Sequence, residues 1–287
     1  MSNKFMFSLS MVIFGTIGLF VRFIPLPSGE IALLRAVFAF LLVGGFLLVK
    51  KQKISFKNSK KELLLLLLSG AAMGFNWIFL FEAYKYTTVS VATLSYYFAP
   101  VIVMVLSPLI FKERITLKKL ICFVFSTFGL IMITGIGNLD GQNSHIKGIL
   151  FGLSAALLYS AVMILNKLIK GLSGVERTFL QFLAAIIVLL PYVVFTDGIK
   201  VFALETAGII NLLIVGLIHT GLAYILYFSS LKEMEGQQVA IISYIDPLVA
   251  VLVSVFILKE DITAVQLIGG FLILFFTLAN EIKFKKK

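Results

Sequence analysis

The chain has 287 residues and a formal net charge of +11, with 60% hydrophobic and only 14% charged residues. Soluble domains contain roughly 45–50% apolar and about 25% charged residues. The composition therefore excludes a soluble globular fold, because no soluble core could bury that much apolar surface.

Long apolar runs recur along the whole chain. About 20 apolar residues cross the ~30 Å hydrocarbon core of a bilayer as a helix. Strands of a membrane barrel alternate in hydrophobicity over about 10 residues, so runs of this kind exclude a β-barrel. In chain order, the predicted spans lie near residues 5–24, 30–49, 63–84, 89–111, 120–137, 148–168, 178–195, 206–230, 237–258 and 264–281. We expect an all-α polytopic membrane protein with ten transmembrane helices.

Basic residues are distributed unevenly between the predicted loops. With the N-terminus inside, nineteen lie in cytoplasmic segments and five in external ones, and Arg35 lies within a span. The positive-inside rule then places both termini in the cytoplasm of a multi-pass protein in the cell (inner) membrane. The positive charge is thus a topology signal, and we expect no nucleic acid as a partner.

Two similar stretches lie 147 residues apart, "IFKERITLKKLI" at 110–121 and "ILKEDITAVQLI" at 257–268. They share Lys-Glu, Ile-Thr and Leu-Ile at matching positions. We interpret residues 1–137 and 138–287 as two copies of one five-helix unit. Because five is odd, the second copy is inserted upside down, and inverted repeats of this kind are typical of secondary transporters that work by alternating access.

Proline occurs at equivalent positions of the two copies. Pro100 and Pro247 each lie in the middle of the fourth span of a repeat, where proline removes a backbone hydrogen bond and bends the helix. Tyr97 and Tyr244 match at the same offset. The prolines are either hinges for alternating access or kinks that serve packing alone.

The two copies also carry a family resemblance. A polar Arg in span two ("ALLRAVFAF"), a Pro-containing span four that closes in Lys-Glu-x-Ile-Thr, and the recurrence of that ending resemble EamA-type members of the drug/metabolite transporter superfamily. The resemblance covers the whole chain, once per half. It implies ten helices, cytoplasmic termini, and a central cavity lined by spans one to four and six to nine. It also implies export of amino acids or other small metabolites, driven by an ion gradient or by the substrate's own gradient.

Ionisable residues within spans are costly, and each is a functional candidate. Asp246 lies about 13 Å into span nine at 1.5 Å per residue, and its repeat counterpart is Ala99. It is either a cation or proton site, or an acid that caps the Pro247 kink or is bonded to a neighbouring hydroxyl. His219, in the middle of span eight, is either hydrogen-bonded to an adjacent helix or forms a proton relay with Asp246.

Arg35 and Glu82 are a second candidate pair, toward the external ends of spans two and three. The bidentate fork of Arg35 suits a carboxylate. If Glu82 occupies the fork, the pair is a strut; if substrate does, Arg35 orients an anionic group. Polar and aromatic residues near the middle of their spans complete the candidate substrate site, where the rings could hold an organic cation or merely pack: Asn76, Trp77, Tyr96, Tyr97, Tyr159, Tyr224 and Tyr244.

An intramembrane enzyme and a channel or scaffold are the two rival classes. Inverted repeats with paired prolines favour alternating access over a static pore, and a saturable flux would distinguish the two. The enzyme would need a nucleophile with its base, or metal ligands at workable spacing, and the two histidines and one cysteine supply neither. We therefore predict a transporter of a small molecule in contact with membrane lipid, without metal or cofactor, as a monomer or weak homodimer. Amino acids or related small polar metabolites are the first substrate hypothesis, cationic organic amines or drugs the second, and protons the candidate coupling ion.

Overall fold

The computed structural model describes residues 2–51, 60–112, 116–134, 143–231, 234 and 236–281. The predicted boundary between the repeats at residue 137 and the lysine tail at 283–287 lie outside these ranges, as does Glu113 of the first repeated motif.

Regular structure in the described ranges is helical throughout. In chain order the helices are α1 (Asn3–Gly15), α2 (Ile17–Val21), α3 (Ser28–Val49), α4 (Lys60–Tyr86), α5 (Val89–Tyr96), α6 (Ala99–Phe111), α7 (Leu117–Thr134), α8 (Asn143–Leu168), α9 (Gly174–Thr196), α10 (Thr206–Leu213), α11 (Ala223–Leu231), α12 (Gly236–Ser243), α13 (Ile245–Leu252) and α14 (Ala264–Glu281). A short 3₁₀ helix covers Val201–Ala203, and π-helical segments cover Ile214–Leu222 and Val253–Ile257.

The prediction of an all-α membrane protein is confirmed. In the described part of the chain, seven helical stretches are long and apolar enough to cross a membrane, and shorter apolar helices cover Ile245–Ile257 and Ala264–Asn280. The count of ten spans stays a prediction.

The long helices form one bundle. α4 packs against α3, α8 and α9, and α3 packs against α9 and the π-helical segment Ile214–Leu222. α7 and α14 pack against each other so closely that a Cβ on Gly129 would lie 2.6 Å from the Gly269 carbonyl oxygen. Small residues allow this approach of two backbones in a membrane helix pair.

Equivalent positions of the two copies adopt the same unusual conformations. Lys112 and Lys259, 147 residues apart, both have a φ of 55°, in the left-handed region that non-glycine residues rarely enter. Glu30 and Glu176 lie in the first turns of α3 and α9, and each carboxylate accepts backbone N–H groups.

Both helices that contain the matched prolines are interrupted. α5 ends at Tyr96 before α6 begins at Ala99, and α12 ends at Ser243 before α13 begins at Ile245. Each proline then lies in the first turn of the new helix, where its missing N–H costs no hydrogen bond. The interruptions are observed; movement about them stays a prediction.

Candidate functional site

Arg35 lies on α3 with only 3% of its surface exposed. Its Nε donates to Thr220 Oγ1 at 2.9 Å. Its guanidinium carbon lies 4.1 Å from the ring centroid of Trp77 and 5.2 Å from that of Phe81. Among the described residues no carboxylate forms an ion pair with the guanidinium, and the hydrogen bond that it makes is the one from Nε.

The Arg35–Glu82 pair, one of the two alternatives that the sequence left open, is not formed. The Glu82 carboxylate instead accepts from Lys85 Nζ at 2.8 Å, one turn further along α4. The i,i+3 spacing brings these two side chains together at the partly exposed end of the helix, whereas Arg35 is buried against Thr220. Glu82 therefore does not occupy the guanidinium of Arg35.

Asp246 lies in the first turn of α13, and one of its carboxylate oxygens accepts the Tyr97 hydroxyl at 2.5 Å. The bond joins the interruption between α5 and α6 to the one between α12 and α13. An acid in a first turn is stabilised by the positive end of the helix dipole. The contact is the bond to a neighbouring hydroxyl that was one interpretation from the sequence, and the role of Asp246 as a cation or proton site stays a prediction.

Each of the two charged groups has aromatic neighbours. The Arg35 guanidinium lies against the Trp77 ring, and Tyr97, which donates to Asp246, has its ring centroid 5.9 Å from that of Tyr96. The two opposite charges form no direct ion pair with each other. The site thus has a cationic pole on α3 and an anionic pole on α13, each with aromatic side chains beside it.

His219 is 2% exposed and lies in the π-helical segment Ile214–Leu222. Its Nε2 is 2.9 Å from Thr16 Oγ1 and its Nδ1 is 3.2 Å from the Ile214 carbonyl oxygen. The direct His219–Asp246 relay suggested by the sequence is not formed, because each side chain is hydrogen-bonded to a different partner.

The junction between α1 and α2 lies between these two titratable groups. Thr16, at this junction, contacts His219, while a Cβ on Gly15 would lie 2.5 Å from the Asp246 carbonyl oxygen. Only a glycine permits this approach of span one to α13. The junction therefore connects both candidate coupling residues, although they do not touch.

The remaining predicted residues are mostly held by packing. Asn76 Nδ2 donates to the Ala155 carbonyl oxygen at 2.6 Å, which joins α4 to α8. Tyr96 and Tyr159 have ring centroids 5.1 Å apart. Tyr224 makes edge contacts with Phe14 and Phe182, and Tyr244 is buried at 9% exposure.

A polar cluster lies at the end of the bundle that carries Arg22. Glu260, whose side chain is 6% exposed, forms an ion pair with Arg22. Its other oxygen accepts the Val89 backbone N–H at 2.8 Å and the Ser254 hydroxyl at 2.5 Å. The Ser254 oxygen lies 3.1 Å from the Ser90 hydroxyl, which donates to it because the one Ser254 proton goes to Glu260. The cluster joins residues that follow α2, begin α5 and follow α13.

A cavity of about 280 Å³ lies beside this cluster. The hydroxyl of Ser28 in its wall is buried and has no hydrogen-bond partner. The full lining comprises Val21, Arg22, Ile24, Ser28, Ile31, Phe81, Tyr84 and Lys85.

Sequence reasoning missed four residues that these contacts bring forward: Thr16, Tyr84, Thr220 and Glu260. Glu260 belongs to the repeated Lys-Glu motif, and its place in a repeat could have drawn attention to it. Tyr84 lies two positions after Glu82, which was a candidate. The threonines carry no sequence signal, because a membrane helix can use a hydroxyl for its own backbone.

Comparison with known proteins identifies the family. The model of the EamA-like transporter family matches residues 2–135 and again residues 146–280. The chain belongs to the EamA-like transporter family. The resemblance read from the sequence is therefore confirmed, and the chain is a transporter rather than an enzyme.

Individual relatives of this EamA-like transporter are also named as transporters or as an efflux pump. It is 34% identical to the uncharacterized transporter YxxF of Bacillus subtilis over 86% of this chain and 78% of that protein. It is 31% identical to an uncharacterized transporter of Archaeoglobus fulgidus, over 93% and 91%. It is 29% identical to a probable amino-acid metabolite efflux pump of Salmonella typhimurium, over 82% and 83%. A solved crystal structure covers 96% of this chain and 97% of its own with a TM-score of 0.66 at 14% identity, which shows the fold alone.

Proposed function

We propose that this transporter exports amino acids or related small polar metabolites across the cytoplasmic membrane by alternating access. The observation that carries the proposal is the pair of separated poles within the bundle, a buried Arg35 against the Trp77 ring and a partly buried Asp246 bonded to Tyr97. A zwitterion offers a carboxylate to the first pole and an ammonium to the second. The relative from Salmonella typhimurium, named a probable amino-acid metabolite efflux pump, supports this choice.

The mechanism requires ten spans in two inverted repeats, with both termini in the cytoplasm. Two matches to one family model support the repeat, as do the shared backbone conformation of Lys112 and Lys259 and the equivalent helix interruptions. The excess of basic residues in the predicted cytoplasmic segments supports the orientation.

In this orientation the Arg22–Glu260 cluster lies at the external end. Its ion pair and hydrogen bonds join spans one, four and nine there, and we assign it to closing the external side. Toward the other end, α6 packs against α7 and α8. A cluster that closes the external side would leave the opposite end of the site to open, as in the inward-facing state of an alternating-access cycle.

Protons are the proposed coupling ion. Asp246 is a titratable group that lies where an ammonium would bind, so a proton and a substrate would compete for it. His219 is the second candidate, because it contacts the junction of span one that also packs on Asp246. Competition for one acid is the simplest way for an entering proton to expel a cationic group.

A transporter of cationic organic amines or drugs is the alternative. Asp246, Tyr97 and the neighbouring rings alone could hold such a cation. That reading leaves the Arg35 guanidinium without an anionic partner in a buried site, which is energetically unfavourable.

An uptake screen in proteoliposomes distinguishes the amino-acid hypothesis from the cationic-amine alternative. The purified protein is tested with labelled amino acids and with primary and quaternary amines of similar size. Saturable uptake of amino acids supports the proposal, and saturable uptake of amines alone supports the alternative. Uptake that rises linearly for all probes contradicts both, because it indicates a pore.

A further inference from the structure

The contact between Thr220 and Arg35 has a defined direction. The Thr220 hydroxyl has one proton, which it donates to the Val215 carbonyl oxygen at 2.8 Å. Its oxygen is therefore left to accept from Arg35 Nε. Thr220 is 0% exposed, so water does not replace either bond.

The local helix geometry makes this arrangement possible. Thr220 bonds to the carbonyl five residues earlier, within a segment whose backbone bonding is π-helical. The neighbouring His219 contacts the carbonyl of Ile214, also five residues earlier. π-Helical turns occur frequently at functional sites, and this one presents two consecutive polar side chains to spans one and two.

The remaining surface of the guanidinium is restricted on two sides. The Trp77 and Phe81 rings lie against it, and Nε is occupied by Thr220. What is left is the edge formed by the two terminal nitrogens. That edge matches the two oxygens of a carboxylate in a bidentate hydrogen bond, and Arg suits such planar recognition better than Lys.

We infer that Thr220 is a positioning residue that directs the terminal nitrogens of Arg35 toward the carboxylate of the substrate, and thereby sets selectivity for amino acids over the corresponding amines. The inference rests on the proposed function and specifies its substrate class. Thr220 does not touch the substrate. Its effect is to remove the rotational freedom of a long side chain, which raises the affinity for a carboxylate and leaves that for an amine unchanged.

The test compares three probes that share one apolar side chain: leucine, leucinamide and isoamylamine. Only leucine carries a carboxylate. Uptake by the purified full-length protein in proteoliposomes gives KM and the maximal rate for each probe. We compare the wild type with Thr220→Val, which removes the hydroxyl, and with Thr220→Ser, which retains it.

Loss of the bond should raise the KM for leucine by roughly 10- to 150-fold in Thr220→Val, which is the range for a hydrogen bond to a charged group. The KM for isoamylamine should stay within about twofold. Thr220→Ser should restore the wild-type ratio of the two. Thr127→Val is the matched control, because Thr127 donates to the Phe123 carbonyl oxygen at 2.8 Å on α7, away from Arg35.

Equal loss of leucine and isoamylamine transport in Thr220→Val, with no change in their ratio, would overturn the inference and make Thr220 a packing residue. A ratio that falls in Thr220→Val but is not restored by Thr220→Ser would also overturn it, because the hydroxyl would then not be the cause. If the wild type transports isoamylamine but neither leucine nor any other amino acid, the proposed function fails and this inference with it.

Discussion

Neutralising Glu260 should open the external end of the bundle. In Glu260→Gln the side chain keeps its shape but loses the charge that accepts from Val89 and Ser254 and pairs with Arg22. A hydrogen bond to a charged group contributes roughly 1.5–3 kcal/mol and a neutral one roughly 0.5–1.5 kcal/mol. The substitution thus weakens two bonds by about 1 kcal/mol each.

The Arg22–Glu260 ion pair contributes less to the stability of the closed state than the two hydrogen bonds do. Because the Arg22 side chain is 42% exposed, water screens the pair, and its loss costs about 0–1 kcal/mol. The closed state is therefore destabilised by about 2–3 kcal/mol relative to the open one. At 1.4 kcal/mol per factor of ten, the equilibrium shifts toward opening by roughly 30- to 150-fold.

Cysteine accessibility measures this shift. Cys122 is replaced by serine, and Ser28→Cys places a thiol in the wall of the 280 Å³ cavity. A membrane-impermeant maleimide added outside should label it up to two orders of magnitude faster in Glu260→Gln. Glu82→Gln is the control, since its pair with Lys85 is partly exposed and should change labelling less than about fivefold. Equal labelling rates with and without Glu260 would refute the reasoning.

Three further outcomes are expected. Asp246→Asn keeps the shape at the Tyr97 contact but cannot exchange a proton. Accumulation driven by a pH gradient should therefore be lost, and substrate binding should not vary with pH. Accumulation with the wild-type pH profile would make Asp246 a structural residue. Pro100→Ala and Pro247→Ala supply a donor through which the preceding helix can continue across each interruption, so turnover should fall more than affinity. Unchanged transport in both would reduce the prolines to packing. Thiol labelling should place the loop at 50–61 and the tail at 283–287 on the cytoplasmic side, and opposite sides would mean a miscounted span.

Helix positions could be predicted because a membrane helix needs an apolar run of about 20 residues, and such runs can be identified in the amino-acid sequence. The interruptions before Pro100 and Pro247 could be expected for a similar local reason, since proline lacks a backbone donor. Both features depend on near neighbours in the chain.

Pairings across the bundle could not be predicted in the same way. Tyr97 and Asp246 were both singled out, yet nothing in either span shows that they meet, since they are 149 residues apart. Glu82 was considered as a partner for a distant arginine although Lys85 stands three positions away, because a buried charge outweighs helical spacing when the sequence alone is considered. Thr220 was missed because a shift from i−4 to i−5 bonding leaves no trace in hydrophobic periodicity.

Counterflow tests the central claim most directly. Proteoliposomes are loaded with an unlabelled amino acid from the uptake screen and diluted into a trace of the labelled form. Alternating access through a site with Arg35 at its cationic pole predicts a transient accumulation of label above equilibrium in the wild type and its loss in Arg35→Gln. Label that only equilibrates in the wild type, as through a static pore, or an undiminished overshoot in Arg35→Gln, would contradict the account.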